Sequence, residues 1–266
     1  MLVAFAIIAE PTSATIHDHR LAARLAVQTG RLLLGLRQRL QAQDAPRTLL
    51  QDEGDRLAHE HLMEQLHRAR PADAVLSEEG TDDKARLNAH RTWIIDPLDG
   101  TRQFAQEART DWGVHVGLVI NNYPCAGAVT LPALGLLFSS ADKPTPMPHV
   151  ATADRPLRVI ASRGRLPKAA IRVAKELKAD LVQLGAAGAK AMAVVRGECD
   201  IYVHSGGQYE WDSCAPVAVA VAARCHASRL NGEPLLYNQP DPYLPDILIC
   251  RPELAAATLS ILASEQ

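Results

Sequence analysis

The run Trp93-Ile94-Ile95-Asp96-Pro97-Leu98-Asp99-Gly100-Thr101 constrains this chain more than any other segment. Trp93, Ile94 and Ile95 are consecutive apolar residues of high strand propensity and read, with Arg91 and Thr92, as a buried strand. Pro97 has no N–H to give to a sheet, so the ladder is expected to stop there. Asp96 and Asp99 then emerge at the carboxyl end of the strand. Gly100 and Thr101 add backbone donors and a hydroxyl where a helix should begin, a place that accepts phosphate. Two carboxylates on one turn repel each other unless a cation stands between them.

For an isolated D-x-x-D the plainer reading is turn formation or helix capping. These acids are not isolated. Ser77-Glu78-Glu79 closes the preceding strand, read over 73–79, and Glu210-Trp211-Asp212 precedes an apolar helix read over 213–223. Asp212 in that position is either a plain N-cap or a metal ligand. Acids at several element ends, with no His or Cys beside them, make an all-oxygen site suited to a hard cation such as Mg²⁺. Two such ions can polarise a phosphoryl oxygen, activate water and neutralise the leaving oxygen, so the acids point to phosphoester hydrolysis.

The rest of the chain sets the frame. Its 266 residues suffice for one large domain or two tightly fused halves, and a hydrophobic content of 47% provides a full core. A net charge of −2 gives no global field for nucleic acid or an anionic membrane. The five cysteines are dispersed, odd in number and without a CxxC pair, which fits reduced thiols in the cytoplasm. The apolar stretch 1–9 lacks a basic n-region and falls short of the roughly 20 residues that span a bilayer, so it reads as a frayed tail or misassigned start.

Helices are expected from Asp18 to Leu40, with Leu21, Leu25, Leu32 and Leu36 on one face, and from Asp55 to Arg68. Strands are expected over 114–121, 126–131 and 135–139. Beyond a Pro- and Asp-rich segment, 141–156, a strand at 157–161 precedes helices at 167–177 and 189–196, with a strand at 200–204. Two α/β halves, 1–140 and 157–266, joined into one compact body is the simplest organisation.

The run 93–101 followed by Phe104 resembles the signature of the inositol monophosphatase superfamily almost letter for letter. Ser77-Glu78-Glu79 resembles its upstream acidic motif, and Glu210-Trp211-Asp212 its downstream Trp-Asp motif, in the same order and spacing. Similarity extends over about 20–250, and the stretch from Gly206 through Asn231-Gly232 is most like the bacterial CysQ-type branch. The resemblance implies an αβαβα layered sandwich, an α/β fold of the sugar-phosphatase type. It implies two or three Mg²⁺ per site: Glu78, Asp96 and the Leu98 carbonyl on the first, Asp96, Asp99 and Asp212 on the second, and Glu79 on a water or a weaker third.

By the same resemblance, Asp55 pairs with Thr101 to activate the attacking water, with Asp52 and Glu53 as competitors. Gly100 and Thr101 hold the scissile phosphate, with Asp212 and Glu210 beside the substrate. The implied reaction is hydrolysis of 3′-phosphoadenosine 5′-phosphate, the sulfated nucleotide being a second substrate, with inhibition by lithium. Inositol phosphates and fructose 1,6-bisphosphate are the rival substrates, and a catalytically silent nucleotide binder is the rival from another class. A small phosphate ester is thus the implied partner, with neither nucleic acid nor membrane, and a homodimer is what the family suggests.

Weaker signals remain. Gly185–Lys190 is not a P-loop, because no Lys-Ser or Lys-Thr follows Gly188. Ala186 stands where the family usually has a substrate-contacting serine. Lys190 is either a phosphate or ribose contact or a solvated helix lysine. Ser162 and Arg163 follow a strand and resemble the family's second-phosphate contacts. His59-Glu60-His61 reads as surface, since its spacing cannot place both rings on one helical face. His115 reads as a satisfied core histidine, and the cysteines read as without a role in the chemistry, Cys214 just beyond Asp212 being the one thiol open to oxidation.

Overall fold

The computed structural model describes residues 14–141 and 155–264. The apolar stretch 1–9 and residues 142–154 of the expected linker lie outside the described residues. Helix α1 (Ile16–Gln41) starts at a capping box in which the Thr15 N–H donates to Asp18 Oδ2 at 2.9 Å. Its buried stripe runs through Leu21, Leu25, Leu33, Leu36 and Leu40, whereas Leu32 is 40% exposed. At about 100° per residue, Leu32 falls at the margin of that stripe and Leu33 near its middle, which corrects the expected face. Helix α2 (Arg47–Ala69) starts eight residues before the expected Asp55, directly after Pro46. Leu50, Gly54, Ala58, Leu62 and Leu66 recur every fourth residue and form its buried edge.

The first sheet has the order β1-β2-β3-β4-β5: β1 (Ala74–Ser77), β2 (Arg91–Asp99), β3 (Gly113–Ile120), β4 (Tyr123–Leu131) and β5 (Leu136–Ser139). Strand β1 runs parallel to β2 with Ser77 opposite Ile95, which brings Glu78 level with Asp96. Pro97 does not end β2, contrary to expectation. The register with β3 slips between Asp96 and Asp99 and then resumes at Asp99 opposite Gly113. Asp96 Oδ1 accepts the Leu98 N–H at 3.1 Å across this irregularity, so a side chain supplies what the missing ladder bond does not. A four-residue helical turn, α3 (Thr101–Phe104), follows.

The second sheet has the order β7-β6-β8-β10-β9: β6 (Arg158–Ser162), β7 (Asp180–Leu184), β8 (Ile201–Tyr209), β9 (His226–Ser228) and β10 (Tyr243–Cys250). β6 is parallel to both β7 and β8; Ser162 and Leu184 end level with each other, while β8 runs on past them, paired with β10, to Tyr209. Between the sheets lie α5 (Ala187–Val195) and α6 (Glu210–Ala222), while α4 (Lys168–Glu176) and α7 (Ala255–Ala263) cover the far face. With α1 and α2 on the first sheet, the layers are α, β, α, β, α.

Small residues set the spacing of the central layer. A Cβ on Gly127 of β4 would lie 2.8 Å from the Ala215 carbonyl oxygen and 2.8 Å from Ala218 Cβ, so its absence lets α6 press on the first sheet. One core cluster accordingly joins Leu76, Ile94 and Val129 to Ile160, Tyr202 and Ile249. Among the described residues no helix is long and apolar enough to cross a membrane.

Candidate active site

The sheet register gathers the acids predicted from sequence. Asp96, Asp99 and Asp212 each bring a carboxylate oxygen within 4.8 Å of the others. Asp96 is 1% exposed, and burial followed by Glu78, Asp99 and Asp212 raises its carboxyl well above the usual range. Glu78 is an exposed residue whose carboxyl stands beside that of Asp96, close enough for the pair to share a proton in a hydrogen bond. Burial of that group, with the charges of Asp212, Glu79 and Asp99, outweighs the hydrogen bond and pushes it up to about 7. Asp212 is pushed up to about 6 by burial, against the stabilising N–H of Tyr209. Crowded, all-oxygen donors whose ionised forms are disfavoured by one another fit one or more hard divalent cations.

Asp99 caps the start of α5, one of the helices between the sheets. Its Oδ1 accepts the Ala187 N–H at 3.0 Å and its Oδ2 the Gly188 N–H at 2.6 Å. The N-cap of α5 is Ala186, which has no side-chain acceptor, so a carboxylate from β2 caps this helix instead. Asp111 extends the same device by accepting the Gly185 N–H at 2.8 Å.

His115, opposite Asp96 across β2 and β3, is fully buried and directs Nε2 to within 3.1 Å of Asp99 Oδ2 and Nδ1 to within 3.2 Å of the Trp211 carbonyl. Nε2 makes no in-line hydrogen bond, so its contact with Asp99 is electrostatic. Burial alone would raise Asp99, but His115, then Lys190 and the Gly188 amide, hold it below its ordinary value. Burial would lower His115, and Asp99 with the Trp211 carbonyl raises it instead. The histidine read as ordinary core therefore belongs to the acidic cluster.

Lys190 is 3% exposed, which excludes the solvated-lysine reading. Its Nζ donates to the carbonyls of Gly185 at 2.6 Å and Ala186 at 2.9 Å. Burial lowers it to about 8, against the pull of Asp99, Asp212 and Asp111.

Asp55 is the acid that meets Thr101: the threonine Oγ1 lies 3.1 Å from Asp55 Oδ1 and 3.2 Å from the Leu98 carbonyl, with one proton to give. The rivals are engaged elsewhere, Glu53 pairing with Arg56 at 2.6 Å and Asp52 facing solvent. Gly54 makes the approach possible, because a Cβ there would lie 2.8 Å from Leu98 Cδ2 and 2.9 Å from Phe104 Cε1. Burial, reinforced by Glu79 and opposed by Thr101, pushes Asp55 up to about 7. Gly100 turns the chain between β2 and α3 at φ +85°, a conformation that favours glycine. Glu79 stands exposed at the rim.

The remaining predicted residues take distinct places. Asp212 is the third residue of α6 rather than its cap, and its Oδ2 accepts the Tyr209 N–H at 2.7 Å. Glu210 is buried and accepts the N–H groups of Asn238 at 2.6 Å and Gln239 at 2.8 Å, so its carboxylate is committed to that loop. Ser162 and the exposed Arg163 lie where β6 and β7 end. Cys214 is wholly buried and its thiol is pushed well up by burial, which disfavours the reactive thiolate and corrects the expectation of oxidation sensitivity. His59 is not free surface either: its Nδ1 lies 2.9 Å from Ser77 Oγ, beneath the acidic motif. Sequence reasoning missed Asp111 and the role of His115, and the signal for Asp111 was its place just before β3, near the acidic turn.

Residues 18–265 match the profile of the inositol monophosphatase family. The chain is 46% identical over 258 residues to the 3′-phosphoadenosine 5′-phosphate phosphatase of Mycobacterium leprae (strain TN), covering 94% of each protein. It is 48% identical over 239 residues to the protein of that name from Mycobacterium bovis (strain ATCC BAA-935 / AF2122/97), covering 88% of this chain and 89% of the relative. Its structure resembles the crystal structure of CysQ from Bacteroides thetaiotaomicron with a TM-score of 0.71 and 25% identity, covering 88% of this chain and 97% of that one.

Proposed function

The chain belongs to the inositol monophosphatase family, and from that premise we propose that it is a Mg²⁺-dependent phosphomonoesterase converting 3′-phosphoadenosine 5′-phosphate to AMP and phosphate. The observation that carries the chemistry is the meeting of Asp96, Asp99 and Asp212 with Glu78 beside them and the Asp55–Thr101 pair close by. The likeness to relatives of that name supports the substrate.

In this reading Glu78, Asp96 and the Leu98 carbonyl hold one cation, and Asp96, Asp99 and Asp212 hold a second, with Glu79 serving a weaker third. Bound there, the cations neutralise phosphoryl charge and acidify water. Asp55, with its carboxyl near 7, is matched to accept a proton at neutral pH. Thr101 donates to Asp55, which leaves its oxygen lone pairs to orient the attacking water. The amides of Gly100 and Thr101 face the scissile phosphate.

Ser162 and Arg163 receive the 5′-phosphate. Lys190 ties down the 185–186 carbonyls and adds positive charge beneath the substrate. Glu210 positions Asp212 and the 238–239 loop at the substrate's border. Acceptance of the sulfated nucleotide, a place in sulfate assimilation, lithium inhibition, a cytoplasmic location and a homodimer belong to the same reading. The five free, buried cysteines support a reducing compartment.

The test is kcat/KM for 3′-phosphoadenosine 5′-phosphate, inositol 1-phosphate and fructose 1,6-bisphosphate, with Mg²⁺ and with EDTA. A Mg²⁺-dependent preference for the nucleotide of about tenfold or more, equivalent to ~1.4 kcal/mol, is expected. Preference for either sugar phosphate overturns the substrate assignment.

A further inference from the structure

Beside the acids, the end of β8 and the start of β10 carry a group of aromatic rings that the chemistry above does not use. Tyr209 and Trp211 stack with centroids 4.8 Å apart and planes 11° apart. Tyr243, the partner of Tyr209 across β8 and β10, stands at 82° to it with a centroid distance of 6.1 Å. Tyr209 is 45% and Tyr243 46% exposed, so both rings are open to solvent beside the site.

The arrangement is built rather than incidental. Gly207 has φ +93°, and a Cβ there would lie 2.5 Å from Tyr243 Cε2, so the strand makes room for that ring. Arg165 Nη1 donates to the Gly206 carbonyl at 2.8 Å and ties the same bend to the loop after β6.

The rings are bonded to the active site through their own backbone. The Tyr209 N–H donates to Asp212 Oδ2 at 2.7 Å, and the Trp211 carbonyl faces His115 Nδ1 at 3.2 Å. The shelf therefore adjoins the place where a phosphate would sit. A flat heteroaromatic group presents a full π-face to such a stack, and exposed aromatics commonly serve as stacking platforms for bases.

We propose that Tyr209, Trp211 and Tyr243 form the binding shelf for the purine base of the substrate and set the preference for a nucleotide over a base-free phosphate ester. The proposal rests on the nucleotide reading above. Tyr209, in contact with both other rings, is its central residue.

The experiment compares kcat/KM for 3′-phosphoadenosine 5′-phosphate with that for ribose 3,5-bisphosphate, which carries the phosphates without the base, in wild type, Tyr209→Ala, Tyr209→Phe and Tyr243→Ala. The nucleotide-to-ribose ratio is expected to fall roughly tenfold in Tyr209→Ala, to fall in the same direction in Tyr243→Ala, and to hold in Tyr209→Phe. Trp93 and Trp112 are wholly buried, so quenching of the intrinsic tryptophan fluorescence by AMP reports on Trp211. That quenching is expected in wild type and is expected to need roughly tenfold more AMP in Tyr209→Ala. A ratio near one in wild type, or one unchanged by both alanine variants, overturns the shelf. Hydrolysis of inositol 1-phosphate with no turnover of the nucleotide by wild type overturns the nucleotide reading itself.

Discussion

Gly188→Ala tests the junction between the two halves of the site. A methyl on Gly188 would fall well inside contact distance of His115 Nε2, 2.9 Å from its Cε1 and 3.1 Å from Asp99 Oδ2. His115 is fully buried, so the ring has nowhere to retreat without moving β3 or Asp99. Overpacking of this kind costs about 1–3 kcal/mol, while replacing a helical glycine by alanine returns up to about 1 kcal/mol. The net loss lies between about 0 and 3 kcal/mol, and the middle of that range, about 1–2 kcal/mol, corresponds to a fall in Tm of roughly 2–8 °C for a chain of this size. Displacing Asp99 should also weaken a divalent cation at the Asp99–Asp212 position, measured by titration with Mn²⁺ followed by EPR. Removing the ring should rescue the defect, so Gly188→Ala should cost far less in a His115→Ala background. Equal costs in both backgrounds, or wild-type Tm and Mn²⁺ binding in the single variant, would refute this packing.

Thr101→Val keeps the shape but removes the hydroxyl that joins Asp55 to the Leu98 carbonyl, and kcat should fall by about 10²–10⁴ with KM little changed; steady-state kinetics reads this directly. Glu78 and Asp55 near 7 and Asp212 near 6 have folded pKa values above their unfolded ones, so over about pH 4–7 the folded state binds more protons. The metal-free protein should therefore lose Tm as pH rises from 5 to 8, and excess Mg²⁺ should reverse the loss; a Tm that climbs with pH without metal would contradict the site electrostatics. Glu210→Gln replaces a carboxylate that accepts two backbone N–H groups by an amide that can accept with only one atom, so unfolding by urea should show a loss of about 1–3 kcal/mol.

The acids were legible because the chemistry places them in short local motifs: Glu78 ends a strand, Asp96 and Asp99 flank a proline, and Asp212 sits in the first turn of an apolar helix. Their mutual distances were not, since these depend on the parallel pairing of β1 with β2 and on α6 lying across the first sheet. Sequence preferred Asp55 to Asp52 and Glu53 through the motif resemblance alone, and in the structure all three share α2. The choice lies in Gly54, which lets that turn of α2 approach Leu98 and Phe104. The reading of Pro97 as a strand end failed because the Asp96 side chain bridges the gap and Asp99 resumes pairing with Gly113. His115 and Gly188 were opaque for a different reason. They are far apart in sequence and unremarkable singly, and only the contact of β3 with α5 shows that the imidazole occupies the space of a missing methyl.

The most direct measurement is the identity of the products when 3′-phosphoadenosine 5′-phosphate is incubated with the enzyme at stepped Mg²⁺ concentrations and followed by ³¹P NMR. AMP and inorganic phosphate appearing together, at a rate that rises with Mg²⁺ and is abolished in Asp99→Asn, is the result this account predicts. Release of the 5′-phosphate to leave adenosine 3′-phosphate, or turnover that persists without divalent cation or without the Asp99 carboxylate, would contradict it.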